Sequence, residues 1–257
     1  MHQSGIESSY RKSGEITNVT IGGCATDIGA VRSVNQDAIL YRTVEQSGQR
    51  LVLGVICDGI GGLEHGEIAS HCVCQAAEQW FDNVAEWINI RTIQTDILLA
   101  HFKDAVEEWN GQVRDIIKLQ KIHTGTTMSA IMILRNEFYM IHVGDSRIYQ
   151  YRKQLQQITM DESIAKVQNG KMKLYLDNYL GKQDELTFKE YKGKVDNGDV
   201  FLYGSDGFYH QMQESDVFNI KFEITKKNPE TVCRELIEKM IQRGETDNIS
   251  IGFIICN

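Results

Sequence analysis

Apolar and polar positions divide the chain into short apolar runs, alternating runs and a few segments with helical spacing. Val52, Leu53, Gly54, Val55, Ile56 and Cys57 form a continuous apolar run, which predicts a buried strand. It ends in Asp58-Gly59-Ile60-Gly61-Gly62, where a carboxylate meets a glycine-rich turn able to approach a ligand closely. Upstream, Val19 to Thr26 and Ile39 to Val44 read as strands, and Gln46-Ser47-Gly48-Gln49 as a hairpin loop. Downstream, Gly125-Thr126-Thr127 opens a strand to Leu134 that alternates with period two. Arg135-Asn136 turns the chain, Glu137 to Val143 returns, Gly144-Asp145-Ser146 turns again and Arg147 to Tyr151 continues, which reads as an antiparallel meander. Val200 to Gly204 and Ile249 to Ile255 complete the strands.

Three segments carry helical spacing. Over Glu67 to Phe81, Ala69, Cys72, Val73, Ala76, Ala77 and Trp80 recur at three- and four-residue steps. From about Thr92 to Gln120, Leu99, Phe102, Val106, Trp109, Val113 and Ile116 form a stripe suited to packing on a sheet. Pro229, placed where a first helical turn tolerates it, starts a helix to about Arg243 with Val232, Leu236, Ile237 and Met240 on its buried face. The stretch Thr159 to Gly181 is more polar, with a short helix expected over Glu162 to Val167. Many strands with long helices between them predict a layered α+β domain. Residues 16–257 read as one domain behind a mobile arm over 1–15, without repeats, low-complexity tracts or linkers.

Composition narrows the class. The chain has 257 residues, 42% hydrophobic and 24% charged, ordinary values for a globular protein. Its net charge of −8 argues against a nucleic-acid or anionic-membrane partner. No apolar run is long enough to span a bilayer, and Met1 to Thr17 lacks the apolar core of a signal peptide. Cys24, Cys57, Cys72, Cys74, Cys233 and Cys256 sit mostly in apolar patterns without zinc-site spacing, which favours a reduced, cytoplasmic setting. His65 and His71 match no metal-ligand spacing.

Asp58, Asp145, Asp206 and Asp247 each sit beside a turn at a strand end, and Asp37 precedes a strand. Each alone is an ordinary turn residue. Carboxylates from separate strand ends can converge on one sheet edge, where they repel unless a cation offsets them. An all-oxygen set selects Mg2+, Mn2+ or Ca2+ over zinc. Ser146, Ser205 and Cys57 lack a paired histidine at recognisable spacing, which disfavours a covalent nucleophile.

The segments Arg32-Ser33-Val34-Asn35-Gln36-Asp37-Ala38, Asp58-Gly59-Ile60-Gly61-Gly62, Gly66-Glu67-Ile68-Ala69-Ser70, Gly125-Thr126-Thr127, Gly144-Asp145-Ser146-Arg147, Gly204-Ser205-Asp206-Gly207 and Asp247-Asn248-Ile249-Ser250 span nearly the whole chain. In that order they resemble the metal-dependent (type 2C) serine/threonine protein phosphatases, the bacterial branch most closely. The resemblance implies a four-layer α-β-β-α sandwich, two antiparallel sheets flanked by helices. It implies two core Mn2+ or Mg2+ ions, with Asp58 bridging them and the Gly59 carbonyl on one. Asp206 and Asp247 would complete the other site, Asp37 would act mainly through bound water, and Asp145 with Asp206 would hold a third, weaker ion. Arg32 would clamp the substrate phosphate, a role its planar fork suits. The implied reaction is hydrolysis of phosphomonoesters by a water bridging two ions about 3.5–4 Å apart. The implied substrates are phosphoserine and phosphothreonine proteins, opposing a serine/threonine kinase, with the enzyme a cytoplasmic monomer.

Three departures qualify the likeness. Gln36 stands where animal relatives carry Glu, Ile60 where they carry His, and the Thr159–Gly181 region is shorter than the flap of many bacterial relatives. Two other functions stay open: a catalytically weak phosphoprotein-binding module, and a small-molecule phosphatase. Intact Arg32, Asp58, Asp206 and Asp247 count against the first.

Overall fold

A computed structural model describes residues 20–46, 49–60, 65–87, 92–168, 171–182 and 186–257. The expected arm over 1–15, the start of the first strand at Val19, the loop residues Ser47 and Gly48, and Gly61 and Gly62 lie outside the described residues.

The apolar run before Asp58 forms the body of β3 (Gln49–Asp58). It pairs antiparallel with β2 (Asp37–Gln46) on one side and β4 (Met128–Leu134) on the other. With β5 (Glu137–Val143) and the edge strand β10 (Lys189–Lys194), they make a five-stranded sheet in the order β10-β5-β4-β3-β2. The second sheet holds β1 (Thr20–Asp27), β12 (Ile249–Cys256), β11 (Val200–Gly204), β6 (Arg147–Tyr151) and β7 (Leu155–Gln157) in that order.

The continuous apolar character of β3 follows from its burial on both faces. Leu53, Val55 and Cys57 share a core with Val73, Ala77 and Phe81 of α1 (Gly66–Trp87) and with Phe102 and Trp109 of α2 (Thr95–Gln120). Val52 and Ile56 face the other sheet and meet Ile131, Phe201, Tyr203 and Ile254. Beyond that sheet, Leu202, Ile251 and Phe253 pack with Val217 and Ile220 of α4 (Glu214–Glu223) and Val232, Leu236 and Met240 of α5 (Pro229–Gln242). Three cores thus separate helix, sheet, sheet and helix, the four-layer α-β-β-α sandwich. Tyr203 ties the inner layers by donating its Oη to the Leu40 carbonyl at 3.0 Å. As expected for a helix start, the Asn228 side chain accepts from Thr231 N at 2.8 Å.

Several sequence expectations are corrected. The segment over Glu137 to Tyr151 is not a meander: β4 and β5 pair in one sheet, whereas β6 pairs with β11 in the other. The Gly144-Asp145-Ser146 turn is therefore a crossing between sheets, made with Gly144 at φ 103°. The helix expected over Glu162 to Val167 is instead strand β8 (Ser163–Gln168), hairpinned with β9 (Lys171–Leu176). Gln168 pairs with Lys171, and the sequence carries Asn-Gly between them, a dipeptide that favours tight hairpins. On α2 the buried stripe starts at Leu98, and Leu99 and Ile116 are only half-buried. The first long helix continues six residues past Phe81, to Trp87. The one-turn α3 (Asp206–Tyr209) and α4 were not anticipated.

Candidate active site

Asp58 ends β3 and faces Asp37, the first residue of β2, across the antiparallel pairing. The Asp58 backbone is pinned from the β4 side: its N–H donates to Thr127 Oγ1 at 3.0 Å, and its carbonyl accepts Thr127 N at 2.9 Å and Thr126 Oγ1 at 3.0 Å. Gly59 continues the strand, donating its N–H to the Gln36 carbonyl at 3.0 Å. A side chain there would collide with the Gly66 backbone, so the close passage of these two segments requires glycine at 59.

Asp206 arrives from the opposite sheet as the first residue of α3, directly after β11. The preceding Ser205 donates its Oγ to Asp37 Oδ2 at 2.7 Å, and Asp37 is only 2% exposed. Asp247 lies just before β12, with its Oδ1 accepting Asn248 N at 2.8 Å. Asp145 sits on the crossing between sheets, its Oδ2 accepting Ser163 Oγ at 3.1 Å from the start of β8. Arg32 leads in from the β1–β2 connection and donates Nη2 to Asp247 Oδ2 at 2.6 Å.

These carboxylates feel one another. Burial first, then Asp37, Asp206, Asp145 and Asp247, hold the Asp58 carboxyl well above the ordinary carboxylate range. Burial, opposed by hydrogen bonds from Ser205 and Ser250, pushes Asp37 up to about 7, with Asp206 and Asp247 adding to the rise. Asp206 is raised to about 6 by burial and then by Asp247. Asp145 is raised chiefly by burial. The five aspartates proposed from the sequence are thus drawn to one end of the space between the sheets, with Arg32 beside them.

A set of oxygen donors whose ionisation is suppressed by burial and mutual repulsion fits a hard divalent cation, which would relieve both. As the side chains stand, no three Asp, Glu, His or Cys residues among the described residues close around a single point. Asp37 is turned to Ser205 and Asp247 to Arg32.

Sequence reasoning missed the residues that hold the aspartates. Asn248 accepts Gln36 N at 2.9 Å and donates to the carbonyls of Ile28 at 2.9 Å and Val34 at 3.0 Å, which fastens the Arg32 loop to the start of β12. Ser205, Thr126 and Thr127 do the same for Asp37 and Asp58. Thr127 Oγ1 also meets Ser146 Oγ at 2.6 Å, which links the Asp58 strand to the Asp145 turn. Glu162 closes that turn, with its backbone N–H donating to the Gly144 carbonyl at 2.8 Å and its Oε2 accepting Gly144 N at 3.0 Å. All but Glu162 stand in or next to the quoted motifs, and that adjacency was the available signal. Gln36 contacts Glu67 at 3.4 Å and Ile60 N–H donates to the Gly125 carbonyl at 3.0 Å, so both departures from animal relatives are built into the site wall.

The α-β-β-α sandwich with its acidic cluster belongs to a metal-dependent phosphoprotein phosphatase, as the family it matches shows. The protein phosphatase 2C model matches residues 30–241, and the chain belongs to that family. It is 26% identical over 257 aligned positions to the protein phosphatase PhpP of Streptococcus pneumoniae, covering 90% of this chain and 96% of that one. It is 27% identical over 254 positions to the serine/threonine protein phosphatase PstP of Mycobacterium tuberculosis, covering 92% of this chain and 45% of PstP. Among solved structures, the S. agalactiae serine/threonine phosphatase superposes with a TM-score of 0.75 at 22% identity, covering 93% of this chain and 100% of that one. The PstP catalytic domain, solved in complex with two manganese ions, gives a TM-score of 0.70 at 23% identity, covering 92% and 98%. Both show the same fold.

Proposed function

We propose that this chain dephosphorylates phosphoserine and phosphothreonine in proteins, at the end of the inter-sheet space where Asp37, Asp58, Asp145, Asp206 and Asp247 gather. The observation that carries this is the gathering of five carboxylates from separate segments beside one arginine, four of them raised chiefly by burial, a cost that a bound cation would relieve. Asp58 and the Gly59 carbonyl would hold two Mn2+ or Mg2+ ions together with Asp206 and Asp247, and Asp37 would act through water. Asp145 with Asp206 would take a third ion. When bound, the ions supply Lewis acidity, lowering the pKa of the attacking water and offsetting charge on the phosphoryl oxygens.

The chain's own groups do the rest. The Arg32 guanidinium offers two parallel donors to the phosphoryl oxygens, a geometry that orients phosphorus and offsets charge in the transition state. Thr126 and Thr127 fix the strand end so that Asp58 need not reorganise during the reaction. Ser205 keeps the Asp37 carboxylate oriented. Asp145 would keep a proton source near the leaving oxygen, on the side where Ile60 offers no acid.

Opposition to a serine/threonine kinase in signalling, a cytoplasmic location and a monomeric state complete the proposal. No described helix is long and apolar enough to cross a membrane, and the six cysteines are free, both consistent with that location. The test is phosphate release from phosphoserine and phosphothreonine peptides against a panel of small phosphate esters, with Mn2+ present. Preference for the peptides supports the reading; turnover confined to small esters contradicts it.

A further inference from the structure

Arg32 has two claims on its guanidinium. The proposed reaction needs it for the substrate phosphate, yet here it donates to Asp247 Oδ2 at 2.6 Å. Asp247 in turn is a proposed metal ligand, and its other oxygen is already engaged with Asn248 N at 2.8 Å. The cation nearest to hand for the free carboxylate oxygen is therefore the arginine itself. The arrangement is not a loosely placed surface contact. Asn248 grips the Arg32 loop on both sides, through the carbonyls of Ile28 and Val34 and the N–H of Gln36. The backbone that carries Arg32 is thus tied to the residue after Asp247, which leaves the long side chain as the part free to change partner. The side chains of Arg32 and Asp247 are 45% and 32% exposed, so the pair is within reach of an entering ion and of modest strength.

A divalent ion taken up by Asp247 opposes a guanidinium on the same carboxylate, because like charges repel strongly at hydrogen-bonding distance. We propose that Arg32 is a metal-released clamp: Asp247 holds it in the metal-free protein, and cation uptake at Asp247 frees its fork for phosphate. This rests on the metal-site reading above and adds an order to it, metal before substrate phosphate. Linkage makes the effect reciprocal, so whatever occupies Arg32 in place of Asp247 favours metal uptake.

Titration calorimetry of the metal-stripped full chain with Mn2+ alone reads this without turnover. Arg32→Gln removes Asp247's competing partner and should tighten Mn2+ uptake by about three- to fivefold, the upper range for a half-exposed ion pair. Removing any nearby positive charge also attracts cations, so Arg147→Gln serves as the charge control: it removes a positive charge beside Asp145 without touching Asp247. The clamp predicts that Arg32→Gln tightens Mn2+ uptake by more than Arg147→Gln does. Thermal melting of both variants checks that the fold is kept. Unchanged Mn2+ affinity in Arg32→Gln overturns the clamp, as does an equal effect of Arg147→Gln, which would be long-range charge alone. No Mn2+ uptake by the unmodified chain overturns the metal reading itself, and the clamp with it.

Discussion

The Asp37 carboxylate, 2% exposed, is held by the Ser205 hydroxyl at 2.7 Å, a contact that joins β2 of one sheet to the end of β11 in the other. Ser205 Oγ also accepts the buried Ser250 N–H at 3.1 Å. Removing the hydroxyl leaves a buried carboxylate and a buried N–H each short of a partner. Ser205→Ala is expected to lower the stability of the metal-free protein by about 1–3 kcal/mol. Denaturant unfolding checks it; a midpoint equal to that of the parent would show that the contact does not hold the sheets together.

A second prediction concerns pH. The folded, metal-free protein keeps Asp37 at about 7 and Asp206 at about 6, with Asp58 raised well above the usual range. Unfolded carboxylates titrate near about 3.9. Above that pH the unfolded chain has lost protons that the fold retains, so these groups reduce stability as pH rises, up to their folded values. The melting temperature of metal-free protein should carry a falling component between about pH 5 and 8. Asp58→Asn removes one charge from the cluster and should flatten that slope. Parallel slopes for parent and variant in thermal scans would contradict the electrostatic account.

Arg32→Lys tests the phosphate clamp. Lysine keeps the charge but cannot make two parallel hydrogen bonds to a phosphoryl group. The kcat/KM for a phosphopeptide should fall by about tenfold, the loss of a charge-assisted hydrogen bond of about 1.5 kcal/mol. Equal steady-state constants for the two proteins would remove Arg32 from the reaction.

Asp145 separates a turn residue from a working one. Its Oδ2 accepts Ser163 Oγ at 3.1 Å, a bond that the amide oxygen of asparagine can also accept. Asp145→Asn should therefore keep the melting temperature and two tightly bound metals. Its kcat should fall by about tenfold or more, within the usual worth of acid catalysis. The loss should be larger for phosphoserine peptides than for an aryl phosphate, whose leaving group needs less protonation. Unchanged kcat on both substrates would return Asp145 to a purely local role.

Much of this was legible along the chain. The run before Asp58 is apolar on both faces because it is covered on both faces, so its strand and the carboxylate that ends it stand out. The helix starting at Pro229 carried both its cap and its stripe. Other features hide for physical reasons. In strand β8 Ile164, Ala165 and Lys166 are exposed, so no buried alternation marks it, and the Asn-Gly at 169–170 was the sequence signal that outweighs its weak helical pattern. Helix α4 buries Val217 and Ile220 while Phe218 and Phe222 remain exposed, which blurs its stripe. The crossing at Gly144–Ser146 reads like a hairpin because a turn between paired strands and a turn between sheets use the same local chemistry. Asn248 reaches residues more than 200 positions away, and nothing local marks that reach.

The central claim is that the aspartate cluster works by holding divalent cations. The most direct measurement is turnover of an aryl phosphate by metal-stripped protein, then with Mn2+ or Mg2+ added, then with excess chelator, with Asp58→Asn and Asp206→Asn run alongside. The account predicts no turnover without metal, activity on addition, its loss on chelation, and folded but inactive variants. Full activity in metal-free buffer with excess chelator, or near-normal turnover by either variant, would contradict it.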